Sequence, residues 1–294
     1  MSISLFSKAN LAFKNANYRE AISLYRLAGR MYGNSIVRFN IELCKSRLDS
    51  HAMDLPQDLY VLLSSTAATI KDILPTLESL RRQSMKPKEI ILTLSKDLND
   101  PAGISFDSPF LKKIKEMHTV RIMWTNGYSR FNSFGPFLKN HFDCEIVQNK
   151  LLVCVSESRV YPKDMLESLF IKFVQNDNLA SLEYQQLETE HNQLPFQFVP
   201  KLESGIMFNT LFFNENVCDV AAVEKFENLS IGVWLTAQAY MNGLRGFEEQ
   251  DMSITSTKQY AIEPDMLVEF EKIISSQFGI SINSLASLSK RLAS

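Results

Sequence analysis

The apolar run Leu151-Leu152-Val153-Cys154-Val155 ends in Ser156-Glu157-Ser158-Arg159, followed by Val160-Tyr161-Pro162. A run of this length and composition reads as a buried strand that opens into a polar turn. The turn offers one carboxylate, two hydroxyls and a guanidinium. Ser156 and Ser158 suit hydrogen bonds to a ribose or a phosphate but are poor ligands for Mg²⁺ or Mn²⁺, which prefer carboxylates. Arg159 supplies a planar fork that can meet a diphosphate directly. Lys139, upstream, is a second cation of the same use. Each has a plainer reading as well: Arg159 as a solvated turn residue, Lys139 as a solvated helix charge, Glu157 as a surface carboxylate.

The elements that would position these residues alternate. Leu59–Leu63, Glu89–Leu94, Val120–Trp124 and Leu151–Val155 read as strands. Ile70–Gln83, Phe110–Met117, a segment within Ser133–Phe142 and Lys163–Gln175 read as helices between or after them. This alternation predicts an α/β fold with a mainly parallel sheet and crossover helices. Beyond residue 180, Leu194–Pro200 and Gly205–Phe208 read as short strands, Val220–Phe226 and Ile231–Asn242 as helices. Asp265–Phe278 has a clear apolar stripe (Met266, Leu267, Phe270, Ile273, Ile274, Phe278).

Residues 1–50 differ in kind. Ala9, Ala12, Phe13, Tyr18, Ala21, Ile22, Leu24, Tyr25 and Ala28 recur at helical spacing, broken at Asn15-Ala16-Asn17 and at Gly33-Asn34. Ile36, Phe39, Ile41, Leu43 and Cys44 suggest a third helix. The first pair resembles one tetratricopeptide-type hairpin, in which small residues let helices approach and aromatics fill the groove. A single such unit cannot bury its face alone and must dock elsewhere. The expected organisation is therefore a helical region over 1–50, an α/β domain over 57–280 and a tail over 281–294, with residues 50–58 as linker.

Bulk properties narrow the function. The net charge of −2, with basic residues only in short pairs such as Arg81-Arg82 and Lys112-Lys113, gives no global electrostatic case for nucleic acid. No apolar run is long enough to span a bilayer, and the N-terminus lacks a secretory pattern, so a cytoplasmic protein is expected. Lys290 and Arg291 among leucines leave room for a weak amphipathic contact at the inner face of a membrane. The four cysteines are far apart and fit reduced thiols rather than metal pairs. The four histidines are equally scattered.

The order of segments resembles the GT-A-type glycosyltransferases of bacterial capsule and lipopolysaccharide synthesis. The strand ending in Ser64-Ser65, the following helix, Lys86-Pro87-Lys88 and the strand Ile90–Ser95 look like the opening of that domain. Phe134-Gly135-Pro136-Phe137-Leu138-Lys139 is similar to the family's Tyr-Gly-Pro segment ending in lysine. Ser156-Glu157-Ser158-Arg159-Val160-Tyr161-Pro162 falls where the family has three aspartates, two apolar residues and Tyr-Pro. Ile231-Gly232-Val233-Trp234-Leu235, then Met241-Asn242-Gly243, falls where the family has two aspartates before Ile-Trp, then Asn-Gly. The N-terminal hairpin is similar to the leader of capsule polysaccharide synthases.

The resemblance implies a GT-A-like (Rossmann-like) sheet and a nucleotide-sugar site at Ser64, Lys139, Ser156, Glu157, Ser158 and Arg159. It also exposes three departures. Two aspartates of the metal triplet are serines here. The acid pair that supplies the family's base is Ile231-Gly232, neither of which can move a proton. An arginine common before the first helix is Thr69. Glu203, Glu224 and Glu227 are the carboxylates near enough in sequence to replace the base. The expectation is a family member whose metal-dependent catalysis is lost or reduced and which binds a glycan or partner polysaccharide-synthesis proteins, the latter through residues 1–50. The alternative is an active transferase that needs no metal. No cofactor is expected, with Mg²⁺ or Mn²⁺ only if Glu157 alone can hold one.

Overall fold

The structure, a computed structural model, describes residues 5–32, 37, 40–41, 44, 58–66, 69–95, 109–126, 130–143, 150–176, 179–188, 194, 196–219, 230–242, 244, 259–261 and 264–278. Most of the third N-terminal helix, the expected helix at 220–226, residues 224 and 227, and the tail 281–294 lie outside the described residues.

Helices α1 (Leu5–Lys14) and α2 (Tyr18–Tyr32) form the expected hairpin. Ala9, Ala12, Ala21 and Ala28 are buried between them, so the helices approach closely around Ile22 and Tyr25. Phe6 packs edge-on against Tyr25 and Phe13 against Tyr18. Ala16 turns the chain with φ at +61°, an unusual conformation for a residue with a Cβ.

The main sheet contains β1 (Leu59–Ser65), β2 (Glu89–Ser95), β3 (Val120–Thr125), β4 (Leu151–Cys154), β5 (Ala180–Ser181) and β8 (Ile206–Asn209), in the order β3-β2-β1-β4-β8-β5. The first four strands are parallel, and β8 runs antiparallel between β4 and β5. The crossover helices are α3 (Ile73–Arg81), α4 (Pro109–Lys115) and α5 (Gly135–Phe142); α6 (Met165–Asn176) follows β4. Residues Leu59–Leu63 and Leu151–Cys154 are buried continuously, as a parallel sheet covered on both faces requires. A second sheet joins β7 (Phe198–Pro200), β6 (Tyr184–Glu188) and β9 (Gln259–Ala261).

Helix α7 (Ile231–Met241) is buried at every residue, which follows from a sequence with no polar face. Trp234 donates its indole N–H to the Val217 carbonyl at 3.0 Å and packs near Phe131 and Phe270. Helix α8 (Pro264–Phe278) covers it and buries Phe270 and Ile274.

Arg30 of α2 ties the hairpin to this body, and α2 also packs against the turn Thr210–Phe212. Arg30 is 9% exposed. Its guanidinium donates to the Tyr240 carbonyl at 2.6 Å and to the Leu244 carbonyl, and lies 4.1 Å from the Tyr240 ring centre. Tyr240 lies in the last turn of α7, where helix carbonyls lack intrahelical partners and the dipole favours a cation, and Leu244 lies just beyond it. Burial lowers the Arg30 pKa to about 10, so it stays charged at neutral pH. The need of the hairpin for a second surface is thus met within the chain.

Candidate functional site at the end of the fourth strand

The segment after β4 is held along α3 by a polar stripe. Thr76, Ser79 and Gln83 recur at spacings of three and four, so they share one side of the helix and its final turn. Thr76 Oγ1 donates to the Glu157 carbonyl at 2.7 Å. Ser79 Oγ accepts the Tyr161 N–H at 3.0 Å. Gln83, fully buried, donates to the Pro162 carbonyl at 2.6 Å and accepts the Leu166 N–H at 3.0 Å. Three side chains therefore fix residues 157–166 without a ladder of backbone bonds.

Tyr161 closes the turn from inside. Its hydroxyl accepts the Ser156 N–H at 2.9 Å and donates to the Ser156 carbonyl at 3.1 Å. Burial pushes the phenol pKa far above its ordinary value; the Ser156 hydrogen bond and the nearby Arg159 charge pull the other way, and Glu203 adds to the rise. The phenol is neutral at physiological pH and free to serve as donor and acceptor at once.

Around this turn the hydroxyls of β1's end meet Glu157. Thr69 Oγ1 donates to Glu157 Oε2 at 2.9 Å. The same Thr69 oxygen lies 2.9 Å from Thr66 Oγ1 and 3.0 Å from Ser65 Oγ. Ser156 Oγ and Ser158 Oγ are 3.2 Å apart. Arg159 is exposed at the rim, where its charge and that of Glu203 both reach the Tyr161 phenol.

The six residues expected at the site divide accordingly. Ser156, Glu157, Ser158 and Arg159 share one turn. Ser64 is half-buried on β1, in register with Thr93, one residue before the hydroxyl cluster. Lys139 is exposed on α5, and its charge is felt at Cys218 together with that of Asp143; no hydrogen bond or ion pair among the described residues joins it to the turn. Thr66, Thr76, Ser79, Gln83 and Tyr161 were not among the expected site residues. Polar residues within the amphipathic helix Ile70–Gln83 were the signal available for three of them.

The acid-pair position is closed. Ile231 is 7% exposed, and a Cβ on Gly232 would stand 2.0 Å from the Pro200 carbonyl oxygen. Ser230 caps this helix start, accepting the Val233 N–H at 3.2 Å, and β7 passes directly over Gly232. No carboxylate fits at position 232 without moving β7. Phe131 and Phe134 beside it are also buried.

Glu157 is the only carboxylate of the turn, and its Oε2 is engaged by Thr69. The hydroxyls of Ser156 and Ser158 face each other. Among the described residues no group of three His, Cys, Asp or Glu side chains converges. With one carboxylate at the turn, a Mg²⁺ or Mn²⁺ would depend on substrate phosphates and water for the rest of its near-octahedral shell.

No protein-family model matches the sequence, and no curated protein matches it. Among solved structures, the chain is similar to S. aureus TarS (TM-score 0.47, 14% identity, covering 81% of this chain and 42% of that one). It is also similar to TarS 1–349 in complex with UDP (0.44, 13%, covering 81% and 70%). A third likeness is to the mannosyltransferase PcManGT from Pyrobaculum calidifontis, in complex with GDP-Man and Mn²⁺ (0.41, 10%, covering 93% and 85%). The chain spans less than half of the longer TarS chain.

Proposed function

We propose that this chain is a GT-A-like, glycosyltransferase-family protein of bacterial surface-polysaccharide synthesis in which metal-dependent sugar transfer is lost or reduced and which acts by binding. Its ligand is a nucleotide-sugar or glycan at the turn Ser156–Arg159. Its protein partners are other polysaccharide-synthesis proteins, met through the exposed side of the hairpin that carries Leu11, which is 56% exposed. The observation that supports this reading is the approach of Gly232 to the Pro200 carbonyl, which leaves no space for a side chain at one of the two positions where the resemblance places the acid pair. The Thr69–Glu157 bond supports it from the other side, since a lone engaged carboxylate is a weak anchor for a divalent ion.

A second reading is an active, metal-independent transferase. Its support is the exposed Arg159 beside the Tyr161–Ser156 turn, with the Glu203 charge nearby as a candidate base. Thermal melting with UDP-sugars and GDP-mannose, without metal, separates the two when paired with an assay for transfer. Stabilisation with no transfer, and co-purification of a second transferase that Leu11→Ser abolishes, is the result expected. Metal-free transfer lost in Arg159→Ala and Glu203→Gln would favour the second reading.

A further inference from the structure

The end of the sheet opposite the Ser156–Arg159 turn carries a concentrated positive charge. Strands β1, β2 and β3 start level with one another, with Tyr60 beside Glu89 and Ile90 beside Val120. The strand order makes the crossovers β1-α3-β2 and β2-α4-β3 step in the same direction, so right-handed connections put α3 and α4 side by side on one face. Both helices run back toward the strand starts, and both end in cations. Arg81 and Arg82 close α3, and Lys112, Lys113 and Lys115 close α4. Lys86 joins them, donating to the Arg81 carbonyl at 2.9 Å.

These six side chains are exposed. Their neighbours Lys88 and Arg121 are already paired, with Asp58 and Glu89, so the carboxylates at the strand starts are used elsewhere. Opposing them are Glu78 and Glu116 on the helical segments and Glu167, whose carboxylate accepts the Ser84 hydroxyl at 2.8 Å. The chain as a whole is at −2, so the positive field at this end is local and gives the molecule a direction.

The aromatic rings nearest this edge, Tyr60 and Phe137, are buried beneath Lys88 and Lys150. They cannot stack on exposed bases, as single-stranded nucleic acid binding requires. A group of exposed lysines and arginines around one end of a sheet instead suits a surface of many anionic headgroups, which needs no directional contact.

We propose that the α3–α4 end of the sheet docks on anionic lipid headgroups. The candidate ligand turn then points away from the lipid, at the height of one seven-residue strand, about 20 Å. Glycan or nucleotide-sugar would reach it from the aqueous side. The inference stands independently of whether the turn binds a sugar nucleotide.

Flotation with phosphatidylcholine vesicles, with and without phosphatidylglycerol, tests it. The expected result is binding only to the anionic vesicles, reversed by salt, and weakened about tenfold or more in both Arg81→Glu/Arg82→Glu and Lys112→Glu/Lys113→Glu. These positions are exposed, and unchanged melting temperatures would show that the variants remain folded. Absence of binding to anionic vesicles, equal binding to neutral ones, or binding that survives both double variants would each overturn it. Tighter binding to duplex nucleic acid than to the vesicles would reassign the patch and overturn it as well.

Discussion

Thr69 donates its hydroxyl hydrogen to Glu157 Oε2 at 2.9 Å, although the residues stand 88 positions apart. Both are places where the chain departs from, or preserves only a fragment of, the family pattern it resembles. The threonine occupies one oxygen of the turn's one carboxylate. Replacing Thr69 with Val should cost about 1 kcal/mol of stability, since the carboxylate is only partly buried and water can replace the hydroxyl. Chemical denaturation of the variant against the parent chain measures it.

The polar stripe of α3 should matter more. Gln83 is fully buried and satisfies the Pro162 carbonyl and the Leu166 N–H. Gln83→Leu leaves both backbone groups without a partner and should cost about 3 kcal/mol. Hydrogen exchange should then speed up at Tyr161 and Leu166, while β2 and β3 remain protected.

Gly232 allows no side chain. Even Gly232→Ala must displace β7, because its Cβ would stand 2.0 Å from the Pro200 carbonyl oxygen. A loss of about 3 kcal/mol is expected, and Gly232→Asp should be worse because it also buries a carboxylate. Melting temperatures of the two variants check the order. A Gly232→Asp variant as stable as the parent would mean that the base position is open.

Arg30→Met should separate the hairpin from the α/β body. Methionine keeps the apolar packing but leaves the carbonyls of Tyr240 and Leu244 unpaired, a loss of about 2 kcal/mol. Limited proteolysis should then cut between the hairpin and β1 sooner than in the parent chain.

Acid should weaken the fold through His141. It is 4% exposed on α5, its Nε2 has no partner among the described residues, and burial followed by the Lys150 charge lowers its pKa below 6.5. The unfolded chain binds a proton before the folded one does, so stability is full above about pH 6.5 and falls as the pH drops below it. Unfolding curves for His141→Gln should be flatter between about pH 7 and 5 than those of the parent chain.

Much of the first half of the fold was legible in the sequence. Strands β1, β2 and β4 are largely apolar runs bounded by turns, β3 is apolar apart from Arg121, and Ile73, Leu77 and Leu80 mark the buried side of α3. The hairpin was legible because alanines at helical spacing have little other use. The antiparallel insertion of β8 between β4 and β5 was not, since a four-residue apolar strand carries no sign of its direction. Nor was the second sheet, whose strands β6 and β9 are separated by some 70 residues and pair only through the fold. At the site, the residue types around Glu157 were readable, but their partners were not. Thr69, Tyr161 and Gln83 act through distances that only the assembled sheet creates. Nothing local marks Arg30, because its target is the end of α7.

The proposed function rests on the loss or reduction of metal-dependent sugar transfer. The direct measurement is release of nucleoside diphosphate from UDP-sugars and GDP-mannose, followed by ³¹P NMR with Mn²⁺ or Mg²⁺ and again with chelator. The account predicts that neither metal raises release above the chelated control. Release that requires the metal and disappears in Glu157→Gln would contradict it.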